Sequence, residues 1–233
     1  MDSKSSKNTL SPNISVDKMG LKAATAGPKK GGLGYRAAKR LFDIIFSGVV
    51  CAVGLIPAAV LCVVIVIDSP GSPIFRQERV GLHGKKVGIF KFRTMVADAH
   101  EHPERYMTQE QLETWKREQK LDNDPRITRI GRILRNTSLD EIPQFLNVLL
   151  GDLSVIGPRP VTESETYEFS NERDEFLSAK PGITGWWQVT ERNDATWQNG
   201  RRQALELYYV RHASLSLDLQ VFAKTFKALG RGQ

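Results

Sequence analysis

The longest run of apolar positions in the chain extends from Ile44 to Ile67 and contains no charged residue. At about 1.5 Å per residue, a helix of this length is long enough to cross the hydrocarbon core of a bilayer. Pro57 lies inside the run, one turn after Gly54. Because proline removes a backbone donor and clashes with the carbonyl four residues before it, the pattern predicts a kink or a break there.

Basic residues flank this apolar run on both sides. Lys39 and Arg40 precede it, and Arg76 and Arg79 follow it. Positive residues favour the cytoplasmic side of a membrane. A re-entrant helix-break-helix over residues 34–72 enters and leaves the same leaflet, so it keeps both basic flanks on that side. A single kinked span is the alternative, because proline is tolerated in transmembrane helices. The pattern alone leaves both topologies open.

Two short runs of mixed apolar and basic residues, 73–81 and 87–95, predict the arms of an antiparallel β-hairpin. In the second arm Ile89, Lys91 and Arg93 share one face, with aromatic residues between them. This alternation predicts two cations on the same side of the sheet.

Helical patterns follow the hairpin. Residues 97–123 and 161–180 are charged and helix-permissive, which predicts surface helices. Residues 181–189 predict a turn that leads into a short strand. Near the end of the chain an apolar stripe with helical spacing predicts an amphipathic helix, and the stripe consists of Leu215, Leu219, Phe222, Phe226 and Leu229.

These elements together predict an α+β fold that is rich in helix, with a small antiparallel sheet and amphipathic surface helices. Residues 1–33 are rich in Ser, Lys, Gly, Asn and Pro, which predicts a disordered basic tail. No apolar stretch follows the first residues closely, so the tail does not have the pattern of a signal peptide. Residues 73–233 are predicted to form the cytosolic domain that carries the chemistry.

The charge balance is strongly basic. The 233 residues include 33 Lys and Arg against 26 Asp and Glu, which gives a formal net charge of +7. Such a balance suits an anionic partner: nucleic acid, an anionic membrane leaflet or a phosphorylated substrate. RNA-binding and zinc-finger motifs are absent from the sequence, so no nucleic-acid partner is predicted. Cys51 and Cys62 both lie in the apolar run, and they predict neither a disulfide framework nor a Cys/His metal site.

Asp140 and Glu141 are adjacent carboxylates in a segment that predicts the start of a helix. Ser138-x-x-Glu141 is a capping-box pattern, which predicts a start at Ser138. Pro143 favours a start near Asp140, since proline fits best in the first turn. At either position the helix dipole would favour an ionised carboxylate and an approaching phosphate. A purely capping role is the alternative for the same residues.

Four cations are candidates to surround these carboxylates: Lys91 and Arg93 on the predicted strand, Arg135, and Arg159 in a Gly-Pro-Arg-Pro turn. If they converge, they form a cationic pocket suited to phosphoryl transfer, where cations neutralise charge on the transferring group. A carboxylate in such a pocket can hold Mg²⁺ or act as the nucleophile. Spacing alone leaves convergence open, because each cation taken singly is typical of a solvated surface.

Seven motifs occur along the chain in a fixed order: Lys39–Asp43 (KRLFD), Pro73–Gly81 (PIFRQERVG), Lys91–Met95 (KFRTM), Arg135–Gln144 (RNTSLDEIPQ), Gly151–Pro160 (GDLSVIGPRP), Pro181–Trp186 (PGITGW) and Tyr208–Val210 (YYV). In these motifs the chain resembles the monotopic phosphoglycosyl transferases. That bacterial sugar transferase family starts exopolysaccharide, O-antigen and glycoprotein glycan assembly. The resemblance extends over about residues 36–229 and implies the minimal catalytic unit of the family.

By this resemblance the protein would transfer a sugar phosphate from a UDP-sugar to a polyprenyl phosphate and release UMP. The Asp-Glu dyad of the family falls on Asp140 and Glu141. Asp140 would be the nucleophile that forms an acyl-phosphate sugar intermediate, which the polyprenyl phosphate then attacks. The two carboxylates would also bind the Mg²⁺ that the family requires. Direct displacement without a covalent intermediate is the mechanistic alternative.

The resemblance also implies roles for the basic residues. Lys91, Arg135 and Arg159 match positions that the family uses around the phosphates. Arg93 belongs to the same motif as Lys91, and Arg192 is a candidate on the nucleotide side of the site.

The family inserts its apolar segment as a re-entrant hairpin broken at a proline, which here matches Pro57. This implies attachment to the cytoplasmic face of the bacterial inner membrane, with the inner leaflet as a partner. A non-catalytic membrane-surface module that anchors a polysaccharide assembly complex is the alternative from another functional class. The identity of the sugar stays open, and so does the formation of a homodimer.

Overall fold

A computed structural model describes residues 32–118, 121, 123–191 and 194–229. Nearly all of the predicted basic tail, residues 1–31, lies outside this part of the chain. The described residues are rich in helix and contain a small antiparallel sheet. The coarse fold class predicted from the sequence is therefore confirmed.

The longest element is helix α1, Leu33–Asp68, which contains the whole apolar run. Among the described residues it is the one helix that is long and apolar enough, by length and composition, to cross a membrane. Pro57 lies inside α1, and the helix continues through it. The break predicted at Pro57 is not confirmed, and the re-entrant topology stays a prediction.

Strands β1, Ile74–Val80, and β2, Lys86–Phe92, form the predicted antiparallel hairpin. Ile74 pairs with Phe92 at one end of the ladder, and Val80 pairs with Lys86 at the other. Because side chains alternate between the two faces of a strand, Ile89 points into the main core while its neighbours point to the opposite side.

Short helices and a second strand pair follow the hairpin. Strands β3 (Ser154–Ile156) and β4 (Gly182–Thr184) are parallel, a pairing that the sequence did not predict. The short strand predicted within residues 181–189 is therefore present as β4, but it ends at Thr184, and a helix that the sequence did not predict begins at Trp186. The elements are α2 (Gln109–Glu118), α3 (Arg129–Asn136), α4 (Gln144–Leu150), β3 (Ser154–Ile156), α5 (Glu163–Thr166), α6 (Arg173–Leu177), β4 (Gly182–Thr184), α7 (Trp186–Thr190), α8 (Arg201–His212) and α9 (Leu215–Leu229).

The main hydrophobic core lies between β2, α4, β3, α8 and α9. Its buried side chains come from each of these elements and include Ile89, Val148, Val155, Tyr209 and Val221. Burial of these apolar side chains supplies the main free energy that holds the short elements together. The core therefore fixes β2, which carries Lys91, and α4, which follows the predicted carboxylates, in one body.

The N-terminal part of α1 is tied to this body by polar contacts. The Arg40 guanidinium donates hydrogen bonds to the carbonyls of Val148 (2.6 Å) and Leu149 (2.9 Å) in the last turn of α4. The buried carboxylate of Asp43 accepts the backbone N–H of Val155 at 2.9 Å. Arg40 thus adds hydrogen bonds to the last carbonyls of α4, which lack the partner four residues later that a helix interior provides.

The C-terminal part of α1 contacts a different side of the same body. Ile65 is buried against Phe92 of β2 and Leu134 of α3. The Asp68 carboxylate accepts the backbone N–H of Ile130, in the first turn of α3, at 3.0 Å. Both ends of α1 therefore rest on one folded domain.

Asn147 of α4 joins that helix to the free edge of β2. Its side-chain Oδ1 accepts the backbone N–H of Phe90, and its Nδ2 donates to the carbonyl of Gly88, each at 2.9 Å. Asn147 is fully buried. The side-chain amide takes the place of a neighbouring strand, because it pairs two edge groups that would otherwise have no partner.

Replacing Asn147 by Ala removes both hydrogen bonds and leaves two buried backbone groups unpaired. We expect Asn147→Ala to lower the free energy of unfolding by roughly 2–4 kcal/mol, measured by chemical denaturation of the purified protein. The exposed Asn136 at the end of α3 provides the matched control. Asn136→Ala should change the same free energy by less than about 0.5 kcal/mol, and equal losses in the two variants would contradict the role of Asn147.

Candidate active site

The two adjacent carboxylates lie in a tight turn between α3 and α4. Ser138 has a left-handed backbone (φ 56°), and Leu139–Glu141 form one turn of 3₁₀-helix before α4 begins at Gln144. The predicted capping box is wrong, because an N-cap residue needs an extended backbone and the Ser138 side chain makes no capping hydrogen bond. A helical turn does begin near Asp140, as predicted, but it is a 3₁₀ turn, and the α-helix α4 starts only at Gln144, with Pro143 at its N-cap position.

The Glu141 carboxylate lies against the strand that carries Lys91. Glu141 Oε1 and Lys91 Nζ are 3.0 Å apart, and the two side chains are 26% and 21% exposed. Partial burial makes such an ion pair stronger than one on an open surface. Because Asn147 fixes α4 on β2, the two partners are held together by the fold and not only by their charges.

Asp140 lies within electrostatic reach of two of the predicted cations. Burial raises the pKa of Asp140 above its ordinary value, and the neighbouring charge of Glu141 raises it further. Lys91 and Arg135 act in the opposite direction and lower that pKa. The two cations therefore favour the ionised carboxylate, which is the form that can attack an electrophile.

Arg135, in the last turn of α3, is held from the β2 side. Its Nε donates a hydrogen bond to Thr94 Oγ1 at 2.9 Å. Helix α3 approaches this segment so closely that a Cβ on Gly131 would lie 2.0 Å from the Thr94 carbonyl oxygen, so only glycine fits there. Within the described residues the Arg135 side chain makes no other hydrogen bond, which leaves its terminal nitrogens available for an anion.

A cleft opens beside Glu141. Lys91 and Arg159 line it together with this carboxylate, so the structure brings three of the predicted site residues into one place. Three cations face one carboxylate in the cleft, a balance that favours a polyanion such as a diphosphate. The other lining residues are Gln77, Arg79, Ile89, Gln144, Pro160 and Ile183.

Arg79 is the cleft cation that sequence reasoning did not identify as a site residue. It lies directly opposite Val87 in the hairpin, so Gln77 and Arg79 share the sheet face of Lys91. The pairing register of the hairpin, which places Arg79 on the same face as Lys91, is the signal that identifies Arg79 as a site residue. Glu165 forms an ion pair with Arg79 at 3.1 Å and holds the guanidinium at the edge of the cleft.

The residues of this cleft lie within a segment that matches a known family. A family model described as bacterial sugar transferase covers residues 34–232. The chain belongs to the bacterial sugar transferase family. The match includes α1, the two carboxylates and every residue that lines the cleft.

This bacterial sugar transferase is similar to several named proteins. The UDP-galactose-lipid carrier transferase of Erwinia amylovora is 41% identical to it over 82% of this chain and 40% of the relative. The exopolysaccharide production protein ExoY of Rhizobium meliloti is 38% identical over 84% of this chain and 87% of the relative. The UDP-glucose:undecaprenyl-phosphate glucose-1-phosphate transferase of Escherichia coli K12 is 35% identical over 82% of this chain and 40% of the relative. The chain thus spans less than half the length of the Erwinia and Escherichia proteins.

Of the predicted site residues that the structure describes, Asp140, Arg135 and Arg93 are not among those that line this cleft. Arg93 is buried and donates hydrogen bonds to the carbonyls of Ser69 and Pro70, the latter at 2.9 Å. It leaves the predicted face because β2 ends at Phe92, and the alternation of side chains ends with it. Arg192 lies outside the described residues, so its role at the nucleotide stays a prediction.

Asp140 and Glu141 are the predicted ligands of Mg²⁺. Across the described part of the chain, no group of three or more His, Cys, Asp and Glu side chains is arranged to hold a metal ion. Mg²⁺ is commonly bound by one or two carboxylates together with substrate phosphates and water, so the adjacent pair is a sufficient contribution from the protein. The two carboxylates therefore suit a Mg²⁺ ion that binds together with the substrate phosphates. They do not suit an ion whose ligands all come from the protein.

The charges around Asp140 predict opposite shifts of its pKa in two variants. Glu141→Gln removes the negative neighbour that raises this pKa, so the acid limb of kcat/KM should move to lower pH. Lys91→Gln removes a cation that lowers the pKa, so the limb should move to higher pH. The measurement is the pH dependence of kcat/KM for the purified wild type and variants.

The exposed Glu78 on the same hairpin provides the control for this experiment. Glu78→Gln removes a carboxylate of the same type, and it should leave the acid limb in place. Movement of the limb in the same direction for Glu141→Gln and Lys91→Gln would contradict the assignment of the limb to Asp140.

Proposed function

We propose that this chain transfers a sugar 1-phosphate from a UDP-sugar to a polyprenyl phosphate and releases UMP. The observation that carries the proposal is the cleft, where Lys91, Arg79 and Arg159 face Glu141 next to Asp140. Membership of the sugar transferase family and the activity named for the Escherichia coli relative support the two substrate classes. A lipid phosphate as acceptor also explains why one chain combines an anion-binding cleft with a long apolar helix.

In the first step a carboxylate oxygen of Asp140 attacks the β-phosphorus of the UDP-sugar. A new oxygen–phosphorus bond forms, the bond from this phosphorus to the bridging oxygen breaks, and UMP leaves with the electron pair. Lys91 and Arg135 favour the ionised form of Asp140 that the attack requires. The product of this step is a sugar phosphate bound covalently to Asp140.

In the second step an oxygen of the polyprenyl phosphate attacks the same phosphorus. The bond between Asp140 and phosphorus breaks, which regenerates the carboxylate and yields a polyprenyl diphosphate sugar. In-line displacement requires the acceptor to enter from the side on which UMP left. The two phosphates therefore use one cationic surface in turn, and Arg79 and Arg159 stabilise the charge in both steps.

The two carboxylates are also the residues that would hold Mg²⁺. When bound there with the substrate phosphates, the ion would neutralise charge on the transferring group. Lys91 orients Glu141 through the 3.0 Å ion pair, so this carboxylate faces the cleft before any ligand enters. Asp140 keeps an oxygen for the attack on phosphorus.

Asp140→Asn tests the nucleophile, because an amide cannot form the acyl-phosphate bond. We expect this variant to lose UMP release from UDP-sugar in the presence of polyprenyl phosphate by a factor of at least about 10³ while its melting temperature stays close to that of the wild type. Incubation of the wild type with UDP-sugar alone should produce a sugar-phosphate adduct on Asp140, detected by mass spectrometry of the peptide.

Asp174, an exposed carboxylate on α6, provides the matched control for Asp140→Asn. Asp174→Asn should retain wild-type turnover. Substantial turnover by Asp140→Asn would rule out this residue as the nucleophile. Turnover by the wild type without an adduct would favour direct displacement, and a wild type without turnover on any UDP-sugar would favour the non-catalytic scaffold.

We further propose that α1 attaches the protein to the cytoplasmic face of the bacterial inner membrane. Its outward side exposes apolar side chains, of which Ile56 is 77% exposed. Neighbouring helices extend this surface with Leu146 and Leu150 of α4 and with Leu219 and Phe226 of α9, all exposed. The last two belong to the predicted amphipathic stripe of α9. An apolar surface of this extent is stable against lipid and not against water.

The contacts at the two ends of α1 support entry and exit through the same leaflet. Near the N-terminal end Arg40 caps α4, and at the C-terminal end Asp68 binds the first turn of α3. The hydrocarbon core of a bilayer is about 30 Å thick, so a helix that crossed it would separate these ends. Attachment of both ends to one domain therefore supports the re-entrant arrangement over a simple span. A break at Pro57 would let the middle of α1 dip into the leaflet.

Cysteine labelling tests this topology. After replacement of Cys51 and Cys62 by Ala, single cysteines are introduced at Arg36 and Ser72, which are exposed at the two ends of α1. We expect both to react with a membrane-impermeant maleimide in inverted membrane vesicles and neither in intact cells with a permeabilised outer membrane. A cysteine at the exposed Val53, in the middle of α1, is the control and should be protected in both. Reaction of the two ends from opposite sides would establish a span.

A further inference from the structure

Glu206 is a carboxylate in the protein interior that the proposed chemical steps do not use. It lies on α8 and is 1% exposed. Its two carboxylate oxygens lie 3.3 and 3.2 Å from the backbone nitrogen of Arg159, whose N–H they accept. Glu206 is not among the residues that line the cleft, so its link to the cleft is the peptide of Arg159.

Three charged side chains face this carboxylate. Burial raises the pKa of Glu206 to about 7, and Glu165 also raises it, whereas the Arg159 N–H and the charges of Arg202 and Arg159 lower it. Arg202 stacks on the ring of Trp187, with its guanidinium carbon 4.2 Å from the ring centre. Burial of an ionised carboxylate costs free energy unless the carboxylate is paired. These contacts offset that cost, so the fold can keep a hydrogen-bond acceptor at this position.

The turn that carries Arg159 is held on both sides of this residue. The Pro158 carbonyl accepts the N–H of Gly182 at 2.8 Å, and the Val161 carbonyl accepts the N–H of Val80 at 2.8 Å. These bonds fix the chain before and after the arginine on β4 and β1. Between them, the Arg159 peptide is bound by Glu206.

We propose that Glu206 is a positioning residue for the donor substrate: by binding the Arg159 peptide, its carboxylate directs the Arg159 guanidinium into the cleft, where the guanidinium binds the diphosphate of the UDP-sugar. The inference rests on the proposed function, because it assigns Arg159 to the donor phosphates. A misplacement of about 1 Å in a group that binds the reacting part of a substrate can reduce the rate by as much as 100-fold. The hydrogen bond between Glu206 of α8 and the Arg159 backbone can therefore affect the rate of catalysis without any contact between Glu206 and the substrate.

Donor kcat/KM in two Glu206 variants tests the proposal. Glu206→Gln keeps an acceptor oxygen for the Arg159 N–H, whereas Glu206→Leu keeps the approximate volume and removes the acceptor. We expect Glu206→Leu to lower donor kcat/KM on the order of tenfold and Glu206→Gln to stay within about threefold of the wild type. Because Glu206 acts through Arg159, addition of Glu206→Leu to Arg159→Ala should cause no further loss.

Asp218 is a second buried carboxylate, bound to the Tyr209 hydroxyl at 2.6 Å and absent from the cleft. Asp218→Asn is therefore the control for a stability effect, and it should lower the melting temperature without lowering donor kcat/KM. Unchanged donor kcat/KM in Glu206→Leu would overturn the proposal. Losses for Glu206→Leu and Arg159→Ala that multiply in the double variant would overturn it as well.

Hydrogen exchange at the Arg159 amide tests the Glu206 contact independently of turnover. We expect strong protection of this amide in the wild type and in Glu206→Gln, and weaker protection in Glu206→Leu. If Glu206→Leu does not fold, the test rests on Glu206→Gln. A folded Glu206→Gln that loses donor kcat/KM tenfold would overturn the proposal, and so would an unprotected Arg159 amide in this variant. Lack of UDP-sugar turnover by the wild type would refute the proposed function, whereas normal turnover by both the wild type and Glu206→Leu would refute only the role of Glu206.

Discussion

The pairing of the Asn147 side chain with the edge of β2 is the contact on which the geometry of the candidate site depends. It replaces a missing neighbouring strand and fixes α4 against the hairpin. The turn that carries Asp140 and Glu141 leads directly into α4, and Lys91 follows the bonded residue Phe90 along β2. The ion pair between Lys91 and Glu141 is therefore a consequence of this backbone contact as much as of charge attraction. A short helix and a two-stranded sheet, each marginal alone, become a rigid support by sharing one buried amide.

A second regularity is that each cation of the cleft has its own carboxylate, and the three carboxylates come from different elements. Lys91 pairs with Glu141 in the 3₁₀ turn, and Arg79 pairs with Glu165 of α5. The third cation, Arg159, is bound through its backbone by a carboxylate of α8. Paired cations lose less conformational freedom when a phosphate binds, because their positions are already fixed. The cations of the cleft are thus ordered before the substrate enters.

The sequence predicted those elements whose signals are local. The hairpin followed from alternation, α9 from its apolar stripe, and the long helix from its uncharged run. Local rules failed where they were extended past an element: Arg93 was placed on a strand face beyond the last residue of β2. The capping pattern at Ser138 failed because the backbone of this residue is left-handed and its side chain makes no capping hydrogen bond.

For the candidate site, the motifs predicted Lys91, Glu141 and Arg159, which the structure brings into one cleft, and Asp140 beside them. No local pattern indicates Asn147, whose role depends on a strand edge that exists only after the hairpin forms. The identification of Arg79 as a cleft residue required the register of the hairpin, which a single sequence leaves open. Contacts between residues distant in the chain, such as that of Asn147 with Phe90, set these roles, and local patterns carry no information about them.

The contact of Arg40 with α4 has a mechanical consequence for the proposed function. Helix α4 has seven residues, about 10 Å of rise; Arg40 of α1 binds its last turn, and the two carboxylates lie just before its first. With α1 inserted in the leaflet as proposed, α4 would set a constant distance between the hydrocarbon boundary and the reacting phosphorus. The depth at which a lipid head group presents its phosphate would then decide the alignment of the acceptor, while the chemistry of the cleft stays the same.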